Sequence, residues 1–243
     1  MRLSRVHLPG PLVCGSRRTI DGDAANHLAR VLRLRAGDAL TLFDGQGAEH
    51  DARIAAFGKG AVTVEVGERT GVDRESPLRL TLAQGVSRGE RMDWVVQKAT
   101  ELGMARLVPV LTERSVVRLD AVQSERKRQH WRGIAIAACE QSGRNTLPEV
   151  AAPVSLADFL RTVDERSTRV LLSPSGALRI EELQPPAGEV VVLIGPEGGL
   201  ADGEQRAAIA AGFLAVRLGP RVLRTETAAV AALTLLQHRF GDL

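Results

Sequence analysis

The hydrophobic positions of this chain fall into two regimes. Up to about residue 70 they come in short runs with one helical stretch. Residues 21–34 place Ala24, Leu28, Val31 and Leu32 at helical spacing behind acidic residues, which predicts a helix. Residues 39–43, 48–55 and 61–66 read as strands. They are parted by Asp44-Gly45-Gln46-Gly47 and Gly58-Lys59-Gly60, both strong turn formers. Short strands joined by tight turns suggest a small β-barrel. Residues 68–77 are polar and carry Gly71 and Pro77, so they are the expected linker.

From residue 78 the pattern alternates between strands and helices. Strands are expected at 78–83, 106–111, 170–172, 189–194 and 214–218. Helices are expected at 93–102, 125–142 and 225–240, with another opened by the capping pattern Ser155-Leu156-Ala157-Asp158. A further helix over 202–211 is expected to be capped by Asp202. The runs at 170–172 and 189–194 are nearly continuous in apolar residues, as in strands buried on both faces. This alternation predicts an α/β domain with a largely parallel sheet.

Composition narrows the class. Of the 243 residues 44% are hydrophobic, enough for a substantial core, yet no run approaches the roughly 20 apolar residues of a membrane span. Pro9 interrupts the place of a signal peptide's apolar stretch, so a cytoplasmic protein is expected. Cys14 and Cys139 lie far apart, and no histidine spacing suits a metal, so neither a disulfide nor a metal is expected. The net charge is only +3, but the cations are nearly all arginine, whose planar fork suits phosphates and base edges. Aromatic residues are 3% with no tyrosine, which disfavours a base-stacking platform. An RNA partner would therefore be held by phosphate contacts and shape.

Two segments carry chemistry. Gly195-Pro196-Glu197-Gly198-Gly199-Leu200 follows a buried strand and precedes a helix. Ligands of parallel α/β folds sit at the carboxyl ends of strands, and glycines there let backbone approach a ligand. It matches neither a dinucleotide fingerprint nor a phosphate loop. The second segment, 218–228, contains Gly219-Pro220, Arg221, Arg224 and the polar run Thr225-Glu226-Thr227. Thr225 suits an N-cap and Glu226 the helix dipole, but capping does not explain two arginines beside a rigid Gly-Pro. Two such loops after neighbouring strands would form one pocket.

GPEGG followed by LGPRVLRTETA resembles the bacterial 16S ribosomal RNA uracil-N3 methyltransferases of the SPOUT superfamily. Three further blocks extend the resemblance over nearly the whole chain: 26–33, the pair 88–93 and 97–103, and 137–144. It implies a PUA-like RNA-binding barrel over 1–72 and, over 73–243, a SPOUT-type α/β methyltransferase domain with a C-terminal trefoil knot. It further implies S-adenosylmethionine held by 172–175, 193–199 and 218–228, a homodimer, and 16S rRNA of the small ribosomal subunit as partner. The cofactor residues implied are Leu172, Leu193, Gly195, Pro196, Glu197, Gly198, Gly199, Leu218, Leu223, Arg224, Thr225, Glu226, Thr227 and Ala228, with the adenine against Leu193, Leu218 and Leu223.

For catalysis, Arg224 is the candidate cation beside the uracil carbonyls. The base is open between Glu197, Glu226 and water. RNA contacts are expected from His27, Arg30, Arg33, Arg88, Arg91 and Lys98, with Arg30 and Arg33 on one helix face. Arg126, Lys127, Arg128 and Arg132 read as a solvated helix face. The rivals are a SPOUT enzyme acting on a ribose hydroxyl or another base, and a non-catalytic RNA-binding protein. A hydrolase is disfavoured because no GxSxG elbow is present.

Overall fold

The computed structural model describes residues 3–115 and 120–243. The chain packs as two compact units, one made of 1–75 with 139–147 and the other of 76–138 with 148–243.

The first unit holds β1 (Ser4–His7), β2 (Arg17–Asp21), α1 (Gly22–Asn26), β3 (Ala39–Phe43), β4 (Glu49–Phe57) and β5 (Ala61–Thr70). The sheet order is β1-β3-β4-β5-β2, antiparallel except for β1 against β3. Among the described residues no ladder joins β1 to β2, so the barrel is open there. Register shifts between β4 and β5 bend the sheet around Leu40, Leu42, Ile54, Val62 and Val64, as bulges do.

The helix expected over 21–34 is corrected. After α1 the chain widens into a π turn over His27–Val31 and stops. An extra residue per turn rotates the later positions off the apolar stripe. Leu28 is buried, but Val31 is 65% and Leu32 39% exposed.

The expected linker is corrected too. Its first residues belong to β5, and Glu75 is fastened within this unit. One Glu75 oxygen accepts from the backbone N–H groups of Asn145 and Thr146, both at 3.0 Å, and the other from Arg144 at 2.7 Å. Arg5 pairs with the buried Glu49 and donates to Asn145 Oδ1 at 2.7 Å.

The second unit contains β6 (Leu80–Gly85), α2 (Glu90–Glu101), β7 (Arg106–Leu111), α3 (Ala121–Ser142, whose last turn belongs to the first unit), β8 (Glu149–Val150), β9 (Val154–Ser155), α4 (Leu156–Thr162), β10 (Thr168–Leu172), β11 (Leu178–Arg179), β12 (Val190–Ile194), α5 (Asp202–Ala210), β13 (Leu214–Arg217) and α6 (Thr225–Phe240). All pairings are parallel, in the order β11-β13-β10-β12-β6-β7-β8, with β9 beside β7.

Both faces are covered, which is why β12 reads as an unbroken apolar run. Val190, Val192 and Ile194 join α2, α3 and α6 on one face, whereas Val191 and Leu193 join α4 and α5 on the other. Ser155 caps α4 by accepting from the Asp158 N–H, as expected. The cap of α5 is corrected: Ala201 holds that position, and Glu204 reaches back to its N–H at 2.9 Å. No helix among the described residues is long and apolar enough to cross a membrane.

Candidate active site

The order β13-β10-β12 puts the carboxyl ends of three strands side by side, although the chain visits them as β10, β12, β13. Reversals of this kind open a crevice between the following loops. Here they enclose a cavity of about 540 Å³, within the range of small-molecule sites.

The first wall is 195–200. A side chain on Gly195 would put a Cβ 2.8 Å from the Leu200 nitrogen, because the loop folds back on itself. Gly199 supplies a left-handed turn (φ +67°), and its N–H donates to Pro196 O at 2.8 Å. At the end of β6, a Cβ on Gly85 would lie 2.4 Å from the Pro196 nitrogen. Glycine at 195 and 85 thus serves backbone packing against backbone, a reason the sequence reading did not give. Arg114 donates to Gly198 O at 3.1 Å and lies across that glycine.

The second wall is the approach to α6. Thr225 is not the N-cap, which is Arg224; this corrects the sequence expectation. Thr225 is buried, donates to Gly195 O at 2.7 Å and accepts from Gln84 Nε2 at 2.8 Å. One hydroxyl therefore ties α6, β6 and the glycine loop together. The Arg224 guanidinium, beside it, has no hydrogen-bond partner among the described residues and lines the cavity.

Two glutamates complete the polar side, and they differ. Glu197 Oε1 accepts from the Arg88 N–H at 3.0 Å and from the Arg91 guanidinium at 2.6 Å. Burial pushes its carboxyl up, but its own backbone N–H, that of Arg88 and the Arg91 cation overrule this and leave it below the usual range. Glu226 has its Oε2 shut off from solvent with no donor among the described residues, and its Oε1 is 4.0 Å from Arg91 Nε.

All of the residues expected to hold a cofactor line this cavity except two. Leu193 is fully buried in the core on the α4–α5 face, and Thr227 is exposed and is not among the lining residues. Arg91, expected to contact RNA, also lines the cavity. Gln205 and Arg221 also line it; Gln205, on α5, carried no signal in the sequence.

The other expected RNA residues are scattered over both units. His27 and Arg30 are exposed on the helical turns of the first unit. Arg33 lies beyond the helix with φ +52°, so the shared helix face expected for Arg30 and Arg33 is corrected. Arg88 exposes its side chain, and Lys98 is paired with Glu101 at 2.9 Å.

The RNA methyltransferase domain family matches residues 74–237, and the RNA methyltransferase PUA domain family matches 20–67. The chain belongs to the RNA methyltransferase family. Within it, the Ribosomal RNA small subunit methyltransferase E of Bacillus subtilis is 32% identical, over 91% of this chain and 90% of its own. The crystal structure of the enzyme of that name from Neisseria gonorrhoeae, bound to S-adenosyl methionine, is 38% identical with a TM-score of 0.93, covering 100% of both chains. A structure from Legionella pneumophila in complex with the same cofactor is 43% identical with a TM-score of 0.95, again over 100% of both.

Proposed function

We propose that this RNA methyltransferase moves a methyl group from S-adenosylmethionine to N3 of a specific uridine in 16S rRNA of the small ribosomal subunit. The observation that carries the reading is the cavity between the loops after β10, β12 and β13, in a chain alike over its full length to cofactor-bound relatives. Its residues fit the donor. Leu172, Leu218 and Leu223 offer an apolar slot for an adenine, and the Glu197 carboxylate suits a ligand bearing positive charge.

The strand crossing also supports the implied trefoil knot. Gly176, between β10 and β11, lies so close to β13 that a Cβ there would be 2.6 Å from the Val216 carbonyl carbon. We assign residues 1–72 to RNA binding and 73–243 to catalysis, and we read the working form as a homodimer.

The bound donor supplies a methyl group on a sulfonium. The walls fix where that methyl lies, and alignment of this kind removes about 7–11 kcal/mol of barrier in favourable cases. The N3 atom is on the pairing edge, so the uracil must enter unpaired. Arg224, uncommitted and beside the cavity, stabilises the negative charge on the uracil carbonyls as N3 loses its proton.

The test incubates small subunits lacking the modification with protein and labelled donor, followed by nucleoside mass spectrometry. The expected product is 3-methyluridine; a 2′-O-methyl nucleoside would sink the reading. In the same assay Arg224→Ala is expected to lower kcat by about 100-fold. Turnover at the parent rate would remove Arg224 from the mechanism.

A further inference from the structure

We propose that Glu226 accepts the uracil N3 proton, while Arg91 and Glu197 act as a positioning pair that keeps the site in shape around it. The inference rests on the uracil-N3 reading above and decides between two carboxylates that the sequence leaves equal.

Both line the cavity, but their hydrogen bonding is opposite. Glu197 is spent: one oxygen takes the Arg88 N–H and the Arg91 guanidinium, and donors of that kind stabilise the anion and weaken its pull on a proton. Glu226 keeps a buried oxygen with no donor among the described residues, and Arg91 Nε, its ion-pair partner, stands at 4.0 Å from the other oxygen, beyond hydrogen-bond reach. A buried carboxylate oxygen left without a donor is costly, and a catalytic role is one of the reasons such exceptions persist in folded proteins.

The bland alternative is an acidic residue in the first turn of α6, favoured by the helix dipole. That role would leave the carboxylate in water, whereas the Glu226 side chain is only 17% exposed. Its position is also fixed from next door, because the Thr225 hydroxyl is held by Gly195 and Gln84. The charged groups that share the cavity with Glu226 are Arg91 from α2, Glu197 from the loop after β12, and Arg221 and Arg224 from the loop before α6.

The step balances as follows. The N3–H bond breaks and its proton passes to the Glu226 carboxylate. The N3 electron pair forms the new bond to the methyl carbon, and the sulfur–methyl bond breaks with its pair left on sulfur. The proton then leaves Glu226 for solvent.

The experiment compares Glu226→Gln, Glu226→Asp and Glu197→Gln with the parent, measuring single-turnover methylation of unmodified subunits across pH and donor Kd by calorimetry. Glu226→Gln is expected to lower the rate by about 100-fold or more near neutrality and to recover as pH rises and hydroxide replaces the lost base. Its donor Kd stays within about threefold of the parent, which also reports that it is folded. Glu226→Asp, still a carboxylate, retains more activity than Glu226→Gln. Glu197→Gln weakens donor binding and keeps the parent's pH profile.

A Glu226→Gln rate within about threefold of the parent overturns the proposal. So does a donor Kd raised about tenfold with the saturated rate intact, which would make Glu226 a cofactor holder instead. A parent protein that yields no 3-methyluridine overturns the underlying reading as well. A parent that yields it while Glu226→Gln keeps pace overturns only the role of Glu226.

Discussion

Arg33 holds a left-handed backbone (φ +52°), and among the described residues no other non-glycine does. It closes the π turn: Leu32 N–H donates to His27 O at 3.0 Å and Leu34 N–H to Leu28 O at 3.1 Å, across the position that helices usually give to glycine. A side chain there costs roughly 1–2 kcal/mol, while glycine's extra freedom in the unfolded chain costs about 0.4–1 kcal/mol. Arg33→Gly is therefore expected to melt at the parent temperature or up to a few degrees above it, since 1 kcal/mol moves Tm by about 2–4 °C at this size. RNA affinity should fall, with the salt slope reduced by about one unit. Thermal denaturation and filter binding read the two effects. A lower melting temperature would show that the strain argument is wrong. None of this was legible in the sequence, where Ala24, Leu28, Val31 and Leu32 fit the 3.6-residue period. The widened turn comes from backbone hydrogen bonds that no side-chain pattern records. The difference between Glu197 and Glu226 was hidden for a related reason: Arg88 and Arg91, which separate them, lie more than a hundred residues upstream.

At the scale of elements, the site depends on how β6, the glycine loop and α6 are fastened. Thr225→Val keeps the shape of the side chain and deletes the hydroxyl, leaving Gly195 O and Gln84 Nε2 each short of a buried partner. The expected loss is about 1–3 kcal/mol, together with weaker binding of S-adenosylmethionine because the glycine loop loses its anchor. Thr225→Ser keeps the hydroxyl and should retain most of both. Chemical denaturation and calorimetry check the pair; equal stability for Val and Ser would remove Thr225 from this role. The elements themselves were the legible part. Strands such as β3, β7 and β12 were visible because burial on one face or two imposes a period on the sequence. The two-residue strands β8, β9 and β11 are too short to carry one. The reason for Gly85 was equally invisible, because it lies in the approach of Pro196 from a strand far along the chain.

For the whole molecule, the arginine-rich composition overstates how much charge is available to RNA. The sequence has 32 basic and 29 acidic residues, and many of the arginines are already committed. Arg5 is paired with Glu49, Arg144 with Glu75 and Arg128 with Glu125. Of the cations expected to hold RNA, Arg91 is engaged by Glu197 and Lys98 by Glu101. Arg30, Arg33 and Arg88 are exposed, and their guanidinium groups have no hydrogen-bond partner or ion pair among the described residues. Only an uncommitted cation releases a phosphate counterion at no cost to another bond. Each such contact contributes about −0.7 to −0.9 to the slope of log K against log salt, so these three predict a slope between about −2 and −3. Arg30→Ala, Arg33→Ala and Arg88→Ala should each make the slope shallower by about one unit, whereas Lys98→Ala should leave it nearly unchanged. Binding of a small-subunit rRNA fragment over a range of salt concentrations measures this directly. A flat response would remove phosphate contacts as the basis of binding. A slope near −4 would mean that Arg91 and Lys98 leave their carboxylate partners when RNA arrives, so that binding RNA would loosen the wall of the cofactor cavity at Glu197.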